Sequence, residues 1–205
     1  MNPDLFLAFL MMTVVLVITP GPVVTLVIAA GATDGIRAAL LTVLGTTLGN
    51  ALLIAAVAFG LNFVLASSAL LFDIIRYAGA AYLVWLGIGL WRKAGQDRGA
   101  PVPVRHRVHL SRGLLVALSN PKTAAFFTAF LPQFVDPALP AQWQLTVMCA
   151  ASVLIAALLD SGWGIAAGLG RDWFIAPARA RLLSRFSGTV LIGGGIWLAL
   201  VRRPA

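Results

Sequence analysis

The stretch LFLAFLMMTVVLVITPGPVVTLVIAAGAT, residues 5–33, carries no charged side chain, and inside it stands Thr19-Pro20-Gly21-Pro22. An α-helix rises ~1.5 Å per residue, so about 20 apolar residues cross the ~30 Å hydrocarbon core of a bilayer. This run is long enough. Proline removes an amide donor and clashes with the preceding turn, so two prolines around a glycine predict a helix that unwinds at depth. The carbonyls freed near Ile18 and Thr19 find no partner in lipid and must face protein or a water-filled cavity.

The rest of the 205 residues repeats the apolar theme. Hydrophobic residues make up 60% of the chain and charged residues 11%. Mean hydropathy is +0.94. Soluble domains hold about 45–50% apolar and about 25% charged residues. Disorder requires the opposite composition. Ala38 to Phe72 has no charge, with a turn expected around Gly60, Asn62 and Ser67-Ser68, so that a second helix ends near Phe59 and a third runs from about Leu70 to Trp91. Gly113 to Val135 is interrupted only by Lys122, and Ala141 to Leu169 only by Asp160. Leu182 to Val201 closes the series. The fold class expected is all-α, a polytopic membrane protein of six transmembrane helices arranged as two inverted three-helix repeats. Residues 1–91 form the first repeat, 92–112 a basic cytoplasmic loop, and 113–205 the second.

Charge sets the expected orientation. Of 15 Lys and Arg, eleven fall in the first, third and fifth connections: Arg37; then Arg92, Lys93, Arg98, Arg105, Arg107 and Arg112; then Arg171, Arg179, Arg181 and Arg185. Basic residues are retained in cytoplasmic loops. That predicts a cytoplasmic Arg92–Arg112 loop and both termini outside, with Arg202-Arg203 dissenting. The net charge of +8 is therefore read as topology rather than nucleic-acid binding. Trp91, Trp143 and Trp173 fall at predicted interfaces. The start Met1-Asn2-Pro3-Asp4 has no basic segment, so the first helix is expected to be retained. The lone Cys149 reads as a small core residue and excludes an intrachain disulfide or a thiol-redox pair. His106 and His109 have metal-ligand spacing but nothing beside them to complete a site.

Three polar features lie where lipid should be. Lys122 is nine residues past Gly113 and Asp160 nine before Leu169, each about 14 Å from the predicted cytoplasmic edge. Pro20 lies about 20 Å in by the same measure. A charge at such depth costs at least ~2.5–3.5 kcal/mol unless paired or hydrated. A lysine can snorkel along its stem, whereas aspartate has one methylene and cannot. Asp160 is thus the more informative residue, an acid suited to taking up and releasing a proton, with Trp163 and Gly164 on its face. Each half opens with a proline-interrupted helix, Pro20-Gly21-Pro22 and Asn120-Pro121-Lys122. Paired broken helices at corresponding positions point to a midplane binding site in secondary transporters. Gly45-xxx-Gly49 reads as close helix packing, with Asn50 hydrogen-bonding across helices.

Taken together, several motifs resemble the LysE/RhtB superfamily of amino-acid exporters. They are Thr19-Pro20-Gly21-Pro22, Gly45 to Asn50, Arg76-Tyr77-Ala78-Gly79-Ala80-Ala81-Tyr82-Leu83, Ser119-Asn120-Pro121-Lys122, Phe126-Phe127 and Pro132-Gln133-Phe134. The resemblance implies a secondary exporter of amino acids or related metabolites in a bacterial cytoplasmic membrane, driven by protons, homodimeric, and neither an enzyme nor dependent on a cofactor. The expected substrate site joins Thr19, Pro20, Gly21, Pro22, Asn50, Asn120, Pro121, Lys122, Asp160 and Trp163, with Asp160 carrying the proton. Its expected partners are an amino acid, protons and membrane lipid, with no nucleic acid and no metal. The rival readings are a heavy-metal exporter, which lacks ligands at depth here, and a passive small-solute channel. An intramembrane aspartyl protease would need a second acid beside Asp160.

Overall fold

In the computed structural model, residues 1–67, 69–94 and 108–200 are described, and these are helical with no strand among them. Ser68, Arg98, Pro101, Pro103, Arg105, His106, Arg107, Arg202 and Arg203 lie outside the described residues. The helices are α1 (Pro3–Ile18), α2 (Pro22–Asp34), α3 (Ile36–Ser67), α4 (Ala69–Lys93), α5 (Val108–Leu118), α6 (Pro121–Phe130), α7 (Ala141–Leu169), α8 (Arg171–Ile175) and α9 (Pro177–Leu200). A 3₁₀ turn, Leu131–Phe134, extends α6.

Four helices are individually long and apolar enough to cross a membrane: α3, α4, α7 and α9. Two bent pairs raise the number to six if each counts as one span: α1 with α2, at 50°, and α5 with α6 and its 3₁₀ turn, at 41°. Both bends fall where proline was expected to break the chain. Thr19, next to Pro20, is extended (φ −67°, ψ 112°). Asn120, next to Pro121, is extended too (φ −76°, ψ 105°). The ring of a proline disfavours the helical region for its predecessor, so each helix stops there.

Helix bounds differ from the sequence reading in several places, among them α9, which begins at Pro177 rather than Leu182. α3 runs through Gly60 and Asn62 to Ser67 rather than ending near Phe59. Glycine and asparagine weaken a helix by at most about 1 kcal/mol and do not block it as proline does. Arg92 and Lys93 continue α4, and Val108 to Arg112 open α5, so the basic connection is shorter than 92–112. The short α8 was not foreseen. α7 matches the expected bounds, and Trp91, Trp143 and Trp173 are all exposed.

The bundle turns its leucines outward. Leu40, Leu44, Leu48 and Leu52 recur every four residues on α3 and are exposed, while Thr42, Thr46 and Asn50 of the same helix are buried. A water-soluble helix does the reverse. Small residues bring the helices together. A Cβ on Gly45 would collide with the Leu110 carbonyl, one on Gly49 would lie 2.5 Å from the Leu114 carbonyl, and one on Gly113 would strike the Thr42 carbonyl. The Gly45-xxx-Gly49 motif therefore seats α5 against α3 inside one chain.

Contacts between the halves run in pairs. α1 packs on α7 as α5 packs on α3, and α2 packs on α7 as α6 packs on α3. α3 also meets α7, and α4 meets α9. The two breaks thus face each other across the α3–α7 seam. Beyond them, Phe9, Phe127 and Phe134 pack edge-on, with centroids 6.5 Å and 5.6 Å apart, in a core completed by Leu145 and Met148. Gln144 secures the following loop, accepting from the Asp136 amide (3.0 Å) and donating to the Asp136 and Leu139 carbonyls.

Candidate substrate site at the two helix breaks

The first break creates a specific shortage of donors. In a continuous helix the Leu16 carbonyl accepts from residue 20 and the Ile18 carbonyl from residue 22. Both positions are proline and have no N–H. Thr19, the last residue to reach back, donates to the Val15 carbonyl through its amide (3.2 Å) and its hydroxyl (2.6 Å). The Leu16 carbonyl is satisfied from the other half of the chain. Lys122 Nζ donates to it at 2.9 Å and to the Thr19 carbonyl at 2.6 Å. Lys122 is buried and turned inward rather than snorkelling. Gly21 gives its stem room, since a Cβ there would stand 3.1 Å from Lys122 Cε and Nζ.

The second break is closed locally. The Asn120 side chain caps α6 by accepting from the Lys122 amide (3.1 Å) and donates to Thr123 Oγ1 (2.8 Å). Side-chain capping of this kind satisfies one of the amides exposed at a helix start. At α2 the corresponding position is Gly21, which supplies no side-chain cap. The Val23 and Val24 amides therefore open the first turn of α2 with no partner in the helix.

Between the breaks lies a cavity of about 30 Å³, room for about two water molecules. Thr13 and Leu16 of α1, Val23 and Val24 of α2, and Asn50 of α3 line one side. Asn120, Lys122, Thr123, Ser152 and Asp160 line the other. Asp160 is buried, and among the described residues it forms no ion pair with Lys122 shorter than 4.0 Å and no hydrogen bond to protein. Thr13 Oγ1 and Asn50 Oδ1 are buried without a hydrogen-bond partner. A buried polar atom left unpaired costs about 1–3 kcal/mol. Several such atoms facing one void mark a place prepared for a polar guest.

Of the residues expected here, Asn50, Asn120, Lys122 and Asp160 line the cavity. Thr19 joins through its carbonyl, while Pro20, Gly21, Pro22 and Pro121 shape the breaks. Trp163 lies outside the lining; it is half-buried and meets Phe174 edge-on at 6.2 Å. Three polar contributors were missed: Thr13, Thr123 and Ser152. The signal for Ser152 was present, because it sits eight residues before Asp160 on the same helical face. His109 faces Asp34 at 3.5 Å, and no cluster of three metal-ligating side chains occurs among the described residues. Cys149 packs at the edge of the hydrophobic core.

The family model LysE type translocator matches residues 14–202. The chain belongs to that family. It is 34% identical to an uncharacterized membrane protein of Vibrio cholerae, over 98% of this chain and 100% of the relative. It is 29% identical to the homoserine/homoserine lactone efflux protein of Salmonella typhimurium, over 98% and 99%. It is 31% identical to the leucine efflux protein of Klebsiella pneumoniae, over 64% and 63%. No solved structure matches. As a LysE-family chain with several apolar helices, it is a multi-pass membrane transporter and not an enzyme.

Proposed function

We propose that this protein is a secondary active exporter of amino acids or close relatives, working by alternating access at the cavity between the two breaks and coupled to the proton gradient. One observation carries the proposal: an unbonded carboxylate, two unpaired polar side chains and an uncapped helix start surround the same void. A zwitterion fits that set. Its carboxylate meets the positive end of α2 at the Val23 and Val24 amides, where backbone donors and helix dipole both favour an anion. Its ammonium meets Asp160. Lys122 holds the α1 break and, when it lets go, adds a positive charge for the carboxylate. Two water volumes are too few for even the smallest amino acid, so the site widens to load as the halves part.

Coupling follows from charge. With the site open to the cytoplasm, ionised Asp160 binds the substrate ammonium. With it open outside, a proton enters Asp160, removes the negative charge and frees the substrate. The neutral acid then returns and releases its proton inside. One proton enters for each zwitterion that leaves. The swapped packing of α1, α2, α5 and α6 on α7 and α3 supports an inverted-repeat reading, in which one half rocks against the other. The distribution of basic residues supports a location in the bacterial cytoplasmic membrane with both termini outside.

The test uses proteoliposomes with an imposed pH gradient and labelled homoserine and leucine. The unsubstituted protein is expected to give saturable, gradient-driven transport and counterflow, and Asp160→Asn to lose the gradient-driven component. Undiminished gradient-driven transport by Asp160→Asn sinks the proton role. Non-saturable flux without counterflow favours a pore.

A further inference from the structure

α2 is hinged at both ends. It begins at the first break, where Gly21 is extended (φ −133°, ψ −164°) and supplies no capping side chain. It ends at Gly35, whose φ of 88° and ψ of 175° fall in a region that only glycine enters readily. Gly35 is the one positive-φ residue among the described residues, and a Cβ there would meet nothing within 4 Å. Element-terminal residues of this kind absorb the backbone rotation when a rigid segment swings.

Little apolar surface holds α2 between these hinges. Its buried side chains are valines and alanines, and Val27 shares a small buried cluster with Ala39 and Val43. On α7 it rests where Gly31 lies against the Gly164 carbonyl. The helix that follows the second break is anchored differently. α6 sends Phe126, Phe127 and Phe130 into the main core, and its 3₁₀ turn adds Phe134 against Phe9. Stabilisation grows with the apolar area buried, so α2 is the looser of the two.

The far end of α2 meets a polar group from the other half. Asp34, its last residue, has Oδ2 3.5 Å from Nε2 of His109. His109 stands in the first turn of α5 and is buried, and Asp34 is mostly covered. Val24 at the cavity and Asp34 are ten residues apart on α2, about 15 Å. Asn120, also at the cavity, lies eleven residues past His109, about 16 Å. The pair thus closes the α2–α5 seam at one end of the bundle, Phe9 and Phe134 close the α1–α6 side at the other, and the polar cavity lies between.

Resting on the exporter reading above, we propose that α2 is the moving element of the transport cycle and that the Asp34–His109 contact is the latch that closes the site toward the cytoplasm. With the contact made, the far end of α2 is fixed to α5. When it parts, α2 turns about Gly21 and Gly35, and a path opens along the α2–α5 seam to the Val23 and Val24 amides. Asp34 and His109 are positioning residues and do not touch the substrate.

The experiment uses Cys149→Ser, which removes the chain's single thiol. On that background Asp34→Cys and His109→Cys are joined by a bifunctional methanethiosulfonate in proteoliposomes, and homoserine and leucine transport is read before and after. Transport should be lost on joining and regained on reduction, while a monofunctional methanethiosulfonate should leave it measurable. Joined protein that transports at the unjoined rate overturns the latch and leaves the exporter reading intact. A second measurement decides the matter where the paired substitution does not assemble. Ser152→Cys, on the cavity lining, reports opening through its labelling by a membrane-impermeant maleimide. Replacing Asp34 by Asn should speed that labelling several-fold from the cytoplasmic face, in inside-out vesicles, and not from the outer face, in spheroplasts. An unchanged rate overturns the proposal, and so does a rise from both faces, which reports general loosening. Absence of any transport by the unsubstituted protein removes the exporter reading, and the labelling alone then decides whether α2 moves.

Discussion

The two helix breaks solve one problem in opposite ways. The break at Ser119–Asn120 has one proline, and a capping asparagine sits beside it. The Ser119, Asn120, Lys122 and Ala124 amides there all find acceptors within four residues. The break at Thr19–Gly21 has two prolines and no capping side chain at Gly21. Two of its carbonyls, those of Leu16 and Thr19, accept from Lys122, more than 100 residues away in sequence. The first break is therefore stable only while the second stands next to it. A joint that one ammonium group holds across two halves is also a joint that a competing charge can open. On the alternating-access proposal, the locally capped break is the fixed edge against which the other moves.

The sharpest way to break this comparison is Lys122→Met. It keeps most of the stem and removes the donor, leaving the Leu16 and Thr19 carbonyls unpaired at a cost of about 2–4 kcal/mol in stability. Transport should vanish, and thermal unfolding in detergent should begin at a clearly lower temperature. Native transport rates would mean that the first break does not depend on Lys122. Asn120→Ala has a smaller expected effect. Loss of a cap costs about 1 kcal/mol, and transport should fall while Lys122 still reaches α1; a collapse as severe as that of Lys122→Met would place the hinge at the second break instead. Gly21→Ala is the mildest. Its Cβ crowds the lysine stem by a few tenths of an ångström, so the maximal rate should drop a few-fold with little change in unfolding temperature. A full rate would show that the stem has slack.

Much of this was legible in the sequence. The uncharged runs gave the helices, because hydrocarbon tolerates few charges and each run had the length of a span. Pro20, Pro22 and Pro121 gave the breaks, because a proline's missing N–H and its ring clash are fixed locally, whatever packs beside them. Asp160 and Lys122 stood out through their cost at depth, and both line the cavity. Local chemistry did not give the end of α3, since Gly60 and Asn62 weaken a helix without stopping it. Trp163 was placed by helical spacing alone, and spacing does not say how far along a helix a cavity extends. Thr13 and Ser152 are ordinary in apolar helices until their neighbours are known.

The sequence by itself determined that this chain is a membrane bundle with two interrupted helices and two charges where lipid should be, because periodicity, proline geometry and desolvation cost are all written in the order of residues. Only the tertiary structure decided what those charges do. Which carbonyls an ammonium reaches and which polar side chains meet around one cavity depend on distances between segments far apart in the chain. Those distances are set by how glycine-lined helices pack.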